Sequence, residues 1–304
     1  MKWGGKYMLV NRYTNATTWY KGNTHIHSTV SDGGWTFQQL AAGYAGKGYD
    51  FLVRTDHWVA SDANGEEESY PLLWLDGIEL DGHDEHGSYY HVVCIGRFEG
   101  IHREMGFPAA LKATREQEGL LILAHPLWTG NSFAEATRHG FDGVETYNHV
   151  CRWLNGKGDG LAYWQAMLNE APGTLGFASD DAHIRPEHPG WDGGWVMVQA
   201  EALTRQAIVE SLRHGRFYST TGPEFKQILC EGDRVTVETS PVRFMRLVGP
   251  ASLGKRVGDF EGTLMTSVTF EVPSTWPYAY VEIEDAQGHR ARTNTFIVDN
   301  EKEV

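Results

Sequence analysis

Histidines and carboxylates recur in this chain at the ends of short apolar runs, and the recurrence is the first sign of chemistry. "GNTHIHS" carries His25 and His27, and the loop after it carries Asp32 followed by two glycines. "YDFLVRTDHW" ends in Asp56 and His57, "LLWLDGIELDG" carries Glu79, and "YYHVVCIG" carries His91. "GLLILAHPLW" ends in His125, and "GTLGFASDDAH" ends in Asp180, Asp181 and His183. In a strand, residues i and i+2 project from one face, so His25 and His27 can converge on one cation, and so can Asp181 and His183. Either pair alone is common by chance; the set carries the signal. Imidazole with carboxylate suits Zn, Mn or Fe, whereas a mixed nitrogen and oxygen set does not suit Ca. The donors outnumber the needs of one ion. A carboxylate can bridge two cations, so a site of two to three divalent metal ions is expected.

Each assignment has a plainer rival. Buried histidines can satisfy core hydrogen bonds, and Glu79 can sit in a buried ion pair. Asp56 reads as a partner that orients His57 or a neighbour. Glu145 and Asn148, in "FDGVETYN", either shape the pocket or serve the structure. Asp180 is assigned a supporting place in the catalytic site beside Asp181. Arg54 and Arg185 are candidates for gripping an anionic substrate. His139, His149, His188 and His214 default to solvated or packing roles. Trp191 and Trp195 rim the pocket or fill the core.

The elements that must position these residues follow from the apolar pattern. Runs of four to six Leu, Ile and Val read as buried strands, expected near residues 22–27, 50–55, 75–80, 120–124, 142–146, 174–178 and 194–199. A strand over 89–96 is expected as a hairpin partner of the 75–80 strand. Helical spacing fills the gaps, beginning with a capping box of Thr36 and Gln39 and continuing in "FPAALKATREQEG", "NSFAEATRHG", "LAYWQAMLNEAPG" and "TRQAIVESLRHG". Strands alternating with helices indicate α/β with a parallel sheet, either a closed barrel or an open sheet with ligands at its strand ends. From about Phe217 the helical pattern stops. Alternating stretches such as "LMTSVTFEV" predict five or six antiparallel strands, a small β-sandwich over 217–304 beside a hydrolase unit over 1–216. That segment has no cluster of ligand-type residues, so packing, a substrate lid or homo-oligomer contacts are its expected roles. The acidic run Glu66–Glu68 reads as a solvated loop.

Composition sets the outer limits. The chain has 304 residues, 41% hydrophobic and 12% aromatic, enough for a sizeable core. A formal net charge of −14 disfavours nucleic acid as a partner. No apolar run approaches the ~20 residues of a membrane span, and the first residues show no signal-peptide core. Cys94, Cys151 and Cys230 form no disulfide framework, which suits a cytoplasmic protein.

The motifs "THIHSTVSDG", "VRTDH", "GIEL", "LILAHP" and "SDDAH" resemble, in order and spacing, those of the PHP (polymerase and histidinol phosphatase) metal-dependent hydrolases, over roughly residues 20–215. The tail "LRHGRFYSTTGPEF" and the double Asp resemble the CehA/McbA-like branch, which contains carbamate-ester hydrolases. The resemblance implies a distorted (β/α)7 TIM-like barrel with up to three metals. His25, His27 and Asp181 would hold the first, bridged by Glu79; Glu79, His91 and His125 the second; Asp32, His57 and His183 the third. Asp32 departs from the members that place His there. The expected activity is hydrolysis of a small phosphate ester or phosphodiester by metal-bound hydroxide. Ester, amide or carbamate hydrolysis at the same site is the alternative, and a non-catalytic metal-binding module a third. A small, anionic molecule is the expected partner, with no nucleic acid and no membrane.

Overall fold

The structure, a computed structural model, describes residues 7–14, 18–62, 69–258 and 260–299. Glu66–Glu68 lie outside the described residues. Trp19–Asn23, Phe51–Val53 and Leu73–Leu75 are parallel neighbours, and Phe51, Leu52 and Val53 are all fully buried. Burial on both faces is what parallel strands covered by helices require. After Asp76 the chain re-enters a strand, Gly77–His83, which turns into the antiparallel strand Tyr89–Ile95, the expected hairpin. Leu120–Leu123 pairs antiparallel with that hairpin, and Gly143–Asn148 and Leu175–Ser179 follow in parallel.

The expected helices are present. Thr36 caps Phe37–Gly46 with the reciprocal Gln39 contact, and Ser132 and Glu135 form a second capping box on Phe133–Arg138. Phe107–Glu116, Leu161–Glu170 and Arg205–Arg213 complete the larger helices. One apolar cluster takes Phe51, Val53 and Leu75 from the first strands, Ile122, Leu175 and Phe177 from the later ones, and Val196 and Phe217 beyond them.

The fold is therefore mixed α/β, but the ladders differ from a closed ring of seven parallel strands. Among the described residues they form three sheets, of eleven, five and three strands, and none closes on itself. The segment expected as the seventh parallel strand, Trp195–Gln199, runs antiparallel to both Trp19–Asn23 and Phe217–Thr220. No helix lies between Leu175–Ser179 and Trp195–Gln199. A parallel return needs a crossover, so the chain comes back reversed. Two isolated parallel bridges, Ile26↔Ala182 and His57↔Glu79, tie the eleven-stranded and five-stranded sheets together. Both lie on candidate ligands or between them.

The C-terminal segment is antiparallel as expected, and its strands are shared between two sheets. Phe225–Glu231, Arg234–Val242 and Met265–Glu271 make the three-stranded sheet. Arg290–Thr293 and Tyr278–Glu284 instead continue the large sheet, through Phe217–Thr220 into Trp195–Gln199. Phe225, Val237 and Val242 of the small sheet pack with Leu247, Val281 and Ile283 of the large one.

Candidate metal centre

The ends of the strands assemble the donors. Asp181 N donates to His25 O and His27 N to Ala182 O, each at 2.9 Å, so the first and last motifs zip together through their backbones. The Asp181 carboxylate then reaches both imidazoles, with Oδ1 3.3 Å from His25 Nε2 and 3.1 Å from His27 Nε2. The backbone is strained here. Asp181 has φ 55° and His125 φ 28°, and Trp58 and Ile184, next to His57 and His183, have φ 56° and 45°. Each such conformation costs on the order of 1–3 kcal/mol and persists only where its surroundings enforce it.

Glu79 stands at the centre. Its Oε2 lies 3.2 Å from His25 Nε2, from His27 Nε2 and from His57 Nδ1. Its Oε1 lies 2.9 Å from His91 Nδ1 and 3.6 Å from His125 Nε2. One carboxylate thus addresses two separate sets of imidazoles. Asp181 repeats the pattern, with Oδ2 3.6 Å from His125 Nε2. On the outer side Asp32 Oδ2 lies 3.1 Å from His183 Nε2, and Oδ1 lies 3.6 Å from His27 Nδ1. The two glycines after Asp32 are needed for close approach: a Cβ on Gly33 would stand 2.2 Å from the His27 carbonyl oxygen, and one on Gly34 2.4 Å from that of Ile184.

Charge balance follows from this packing. Burial opposes the imidazolium of His25, but Asp181, Glu79 and Glu145 outweigh it and hold the pKa well above the usual histidine value. His27, fully buried, is raised to about 9, burial being overcome by Asp181 and Glu79. Burial would raise the carboxyl groups of Glu79 and Asp181, yet the surrounding histidines hold both well below the ordinary range. The cluster is a net acceptor of positive charge, whether protons or metal ions supply it.

The residues fit divalent cations. Among the described residues, four groups could hold a metal ion: His27, Asp32, His57 and His183; His25, His27 and Asp181; His25, His125 and Glu145; and His57, Glu79 and His91. In each, the donor atoms lie within 4.8 Å of one another. His27 Nδ1 is buried without a hydrogen-bond partner, an orphan that a cation would satisfy. All nine residues singled out as metal ligands in the sequence converge here.

The other candidates divide. Arg185 faces the cavity, with Nη2 4.0 Å from Asp32 Oδ2. Arg54 does not. Its guanidinium lies over the rings of Phe37 and Trp74, with Nε 3.4 Å from Asp56. Asp180 turns the other way from Asp181. It accepts from Tyr44 OH at 2.7 Å, from Asn23 Nδ2 at 2.8 Å, and from the backbone N–H groups of Asp192, Gly193 and Gly194. Asp56 accepts from the hydroxyls of Ser28 and Ser31, so it shapes the turn carrying Asp32 rather than the His57 ring.

Supporting contacts emerge that the sequence left open or passed over. Glu145 Oε1 accepts from or shares a proton with His25 Nδ1 at 2.8 Å, and Oε2 accepts from His125 N at 2.8 Å. Asp81 Oδ1 lies 3.2 Å from His57 Nδ1 and 3.0 Å from Arg103 Nη2. Asp81 sits two positions after Glu79 in one strand, and that spacing was the readable signal. Thr129 Oγ1 lies 3.0 Å from His125 Nδ1.

No family model matches the chain. It is 34% identical over 80 residues to a phosphoribosyl 1,2-cyclic phosphate 1,2-diphosphodiesterase from Eggerthella lenta. That stretch is 25% of this chain, and the chain spans less than a third of that relative, 30% of its length. Among solved structures, the whole chain superposes on 92% of a Bacteroides vulgatus protein described as "a two-domain protein containing predicted PHP-like metal-dependent phosphoesterase". The TM-score is 0.52 at 14% identity, which is a likeness of fold. A Bifidobacterium adolescentis structure aligns with 64% of this chain and 96% of its own, at TM-score 0.42 and 16% identity.

Proposed function

We propose that this chain is a metal-dependent phosphoesterase of the PHP kind, acting on a small anionic phosphate ester. The observation that carries the reading is the carboxylate of Glu79, with one oxygen toward His25, His27 and His57 and the other toward His91 and His125. We read this as a bridge between two cation positions, with Asp32, His57 and His183 around a third. Zn, Mn and Fe all suit the donors. Divalent cations held there would supply an activated water and neutralise charge on the phosphoryl group.

The chain's own residues do the rest. Glu145 orients the His25 ring through Nδ1, and Asp81 adds negative charge beside His57 Nδ1. Arg185 stands at the rim where a phosphoryl oxygen pointing away from the ligands would be met by a guanidinium. The relative from Eggerthella lenta adds support through its name. In this reading the strands from Trp19–Asn23 to Leu175–Ser179 form a distorted barrel that is joined through the Ile26↔Ala182 and His57↔Glu79 bridges. The strands from Phe217–Thr220 to Phe296–Asp299 serve as a cap continuous with its sheet.

A second reading, hydrolysis of a carboxylic or carbamic ester, draws on the apolar side of the cavity, where Val150, Leu154 and Trp128 lie. The test is a parallel assay. Protein loaded with Mn or Zn should hydrolyse aryl phosphates faster than aryl acetates or carbamates, with inorganic phosphate as a product inhibitor. His125→Ala should abolish the activity. Wild-type activity in that variant, or turnover of the carboxylic esters alone, overturns the phosphoesterase reading.

A further inference from the structure

The cavity over the ligand cluster has two unlike walls. Its volume is about 150 Å³. One side is the ring of imidazoles and carboxylates, extended at the rim by Arg185 and His188, which form a tight antiparallel bridge. Arg185 Nε and His188 Nδ1 are buried there with no hydrogen-bond partner. The opposite side is apolar: Trp128, Leu154, Val150 and the buried Cys151. Trp128 follows His125 by three residues on the short helix Pro126–Thr129. Its ring stands edge-on to those of His125 and His91, with centroids 5.2 and 6.0 Å away. It keeps 38% of its surface exposed, although it sits at the mouth of a buried site.

We infer that the substrate of this site is a phosphate monoester whose leaving group is a single aromatic ring, seated on Trp128 and Leu154 while its phosphoryl group lies between the ligand cluster and Arg185–His188. The inference rests on the phosphoesterase reading and narrows it. The wall of Trp128, Leu154 and Val150 offers the ring an apolar surface, and the imidazole and carboxylate side of the same cavity is left to the phosphoryl group. Two rings that meet edge-on or offset gain beyond the area they bury, which favours an aromatic group over an alkyl group beside Trp128. The Arg185 guanidinium, at the cavity lining, calls for a ligand with acceptor oxygens to spare. A terminal phosphoryl dianion has three such oxygens, whereas a diester has two. Trp128 is accordingly the residue that sets specificity, and Arg185 and His188 position the anion.

Binding of two non-hydrolysable probes tests this without relying on turnover. Phenylphosphonate and methylphosphonate are titrated by calorimetry into the Mn- or Zn-loaded full chain, alongside turnover of phenyl phosphate and methyl phosphate. Burying one ring favours phenylphosphonate by about 10- to 100-fold. Trp128→Ala should bring that ratio close to one, with bound metal measured to show the site intact. Leu154→Ala should lower it by a smaller factor and serves as the second variant. Equal affinity for both probes, or a ratio unchanged in both variants while phosphate esters are still hydrolysed, overturns the inference and leaves the phosphoesterase reading standing. No binding of either probe and no turnover of either ester removes both.

Discussion

His25 Nε2 and His27 Nε2 face each other at 3.1 Å in the fully buried interior of the molecule. Two imidazole lone pairs aimed at one space repel unless a proton or a metal ion lies between them. Asp181 and Glu79 surround the same point with negative charge. We read the pair as a cation position for which protons and metals would compete, and that competition has measurable consequences.

Metal binding should release protons near neutral pH, where His25 and His27, with raised pKa values, still carry them in the metal-free chain. Apparent affinity for Zn should rise with pH until His27 has titrated, at about 9. Stability of the metal-free protein runs the opposite way. A group whose folded pKa is raised stabilises fully below its unfolded value of ~6.5, and that contribution fades as pH rises through about 9. Calorimetric titration in two buffers of different ionisation enthalpy reads the proton release, and thermal melts across pH read the stability.

Glu79→Gln should disable both cation positions together, since each carboxylate oxygen faces a different imidazole set. Loss of a bridging ligand should exceed the 10–100-fold penalty typical of an outer partner. Elemental analysis should show metal content falling by more than one ion per chain, with activity falling at least as far. Loss of a single ion would contradict the bridge.

Glu145→Gln removes the charge that orients His25 Nδ1 but keeps an acceptor. A weakening of metal affinity by about 10–100-fold is expected, with the fold retained. Competition with a chelator measures the affinity, and circular dichroism checks the fold.

Gly33→Ala should cost about 1–3 kcal/mol through a clash of its Cβ with the His27 carbonyl oxygen, 2.2 Å away. Because the clash displaces the loop that carries Asp32, occupancy around Asp32, His57 and His183 should fall before that at Glu79. Denaturant melts and metal counts read the two effects.

Residues 1–216 alone should not fold into a stable unit. Removing Phe217–Thr220 strips the antiparallel partner from Trp195–Gln199. It also removes Asn294, whose Oδ1 accepts from Gly176 N at 2.9 Å and whose Nδ2 donates to Gly215 O. A bared sheet edge invites aggregation. A soluble fragment with a cooperative melt would contradict this.

The ligand set was legible because alternation in strands is a strong rule. His25 and His27, two apart, share a face, and so do Asp181 and His183. Asp180 and Asp181 lie just past the strand Leu175–Ser179, and Asp181 takes a left-handed backbone, φ 55°, so the two carboxylates part company at the strand end. Asp180 accordingly meets Tyr44 and the Asp192–Gly194 backbone instead of the cluster. Arg54 was not legible as a packing residue, because its partners Phe37 and Trp74 come from a helix and a strand distant in sequence. The reversal of Trp195–Gln199 escaped the pattern for a similar reason. An apolar run looks alike in either direction, and only the missing crossover helix between Ser179 and Trp195 betrays the antiparallel return.

The central claim is best tested by anomalous diffraction from crystals of the full chain grown with Mn or Zn. The account predicts at least two anomalous peaks flanking the Glu79 carboxylate, one toward His25, His27 and Asp181 and the other toward His91 and His125. A folded chain with these side chains in place and no peak beside Glu79 would contradict it.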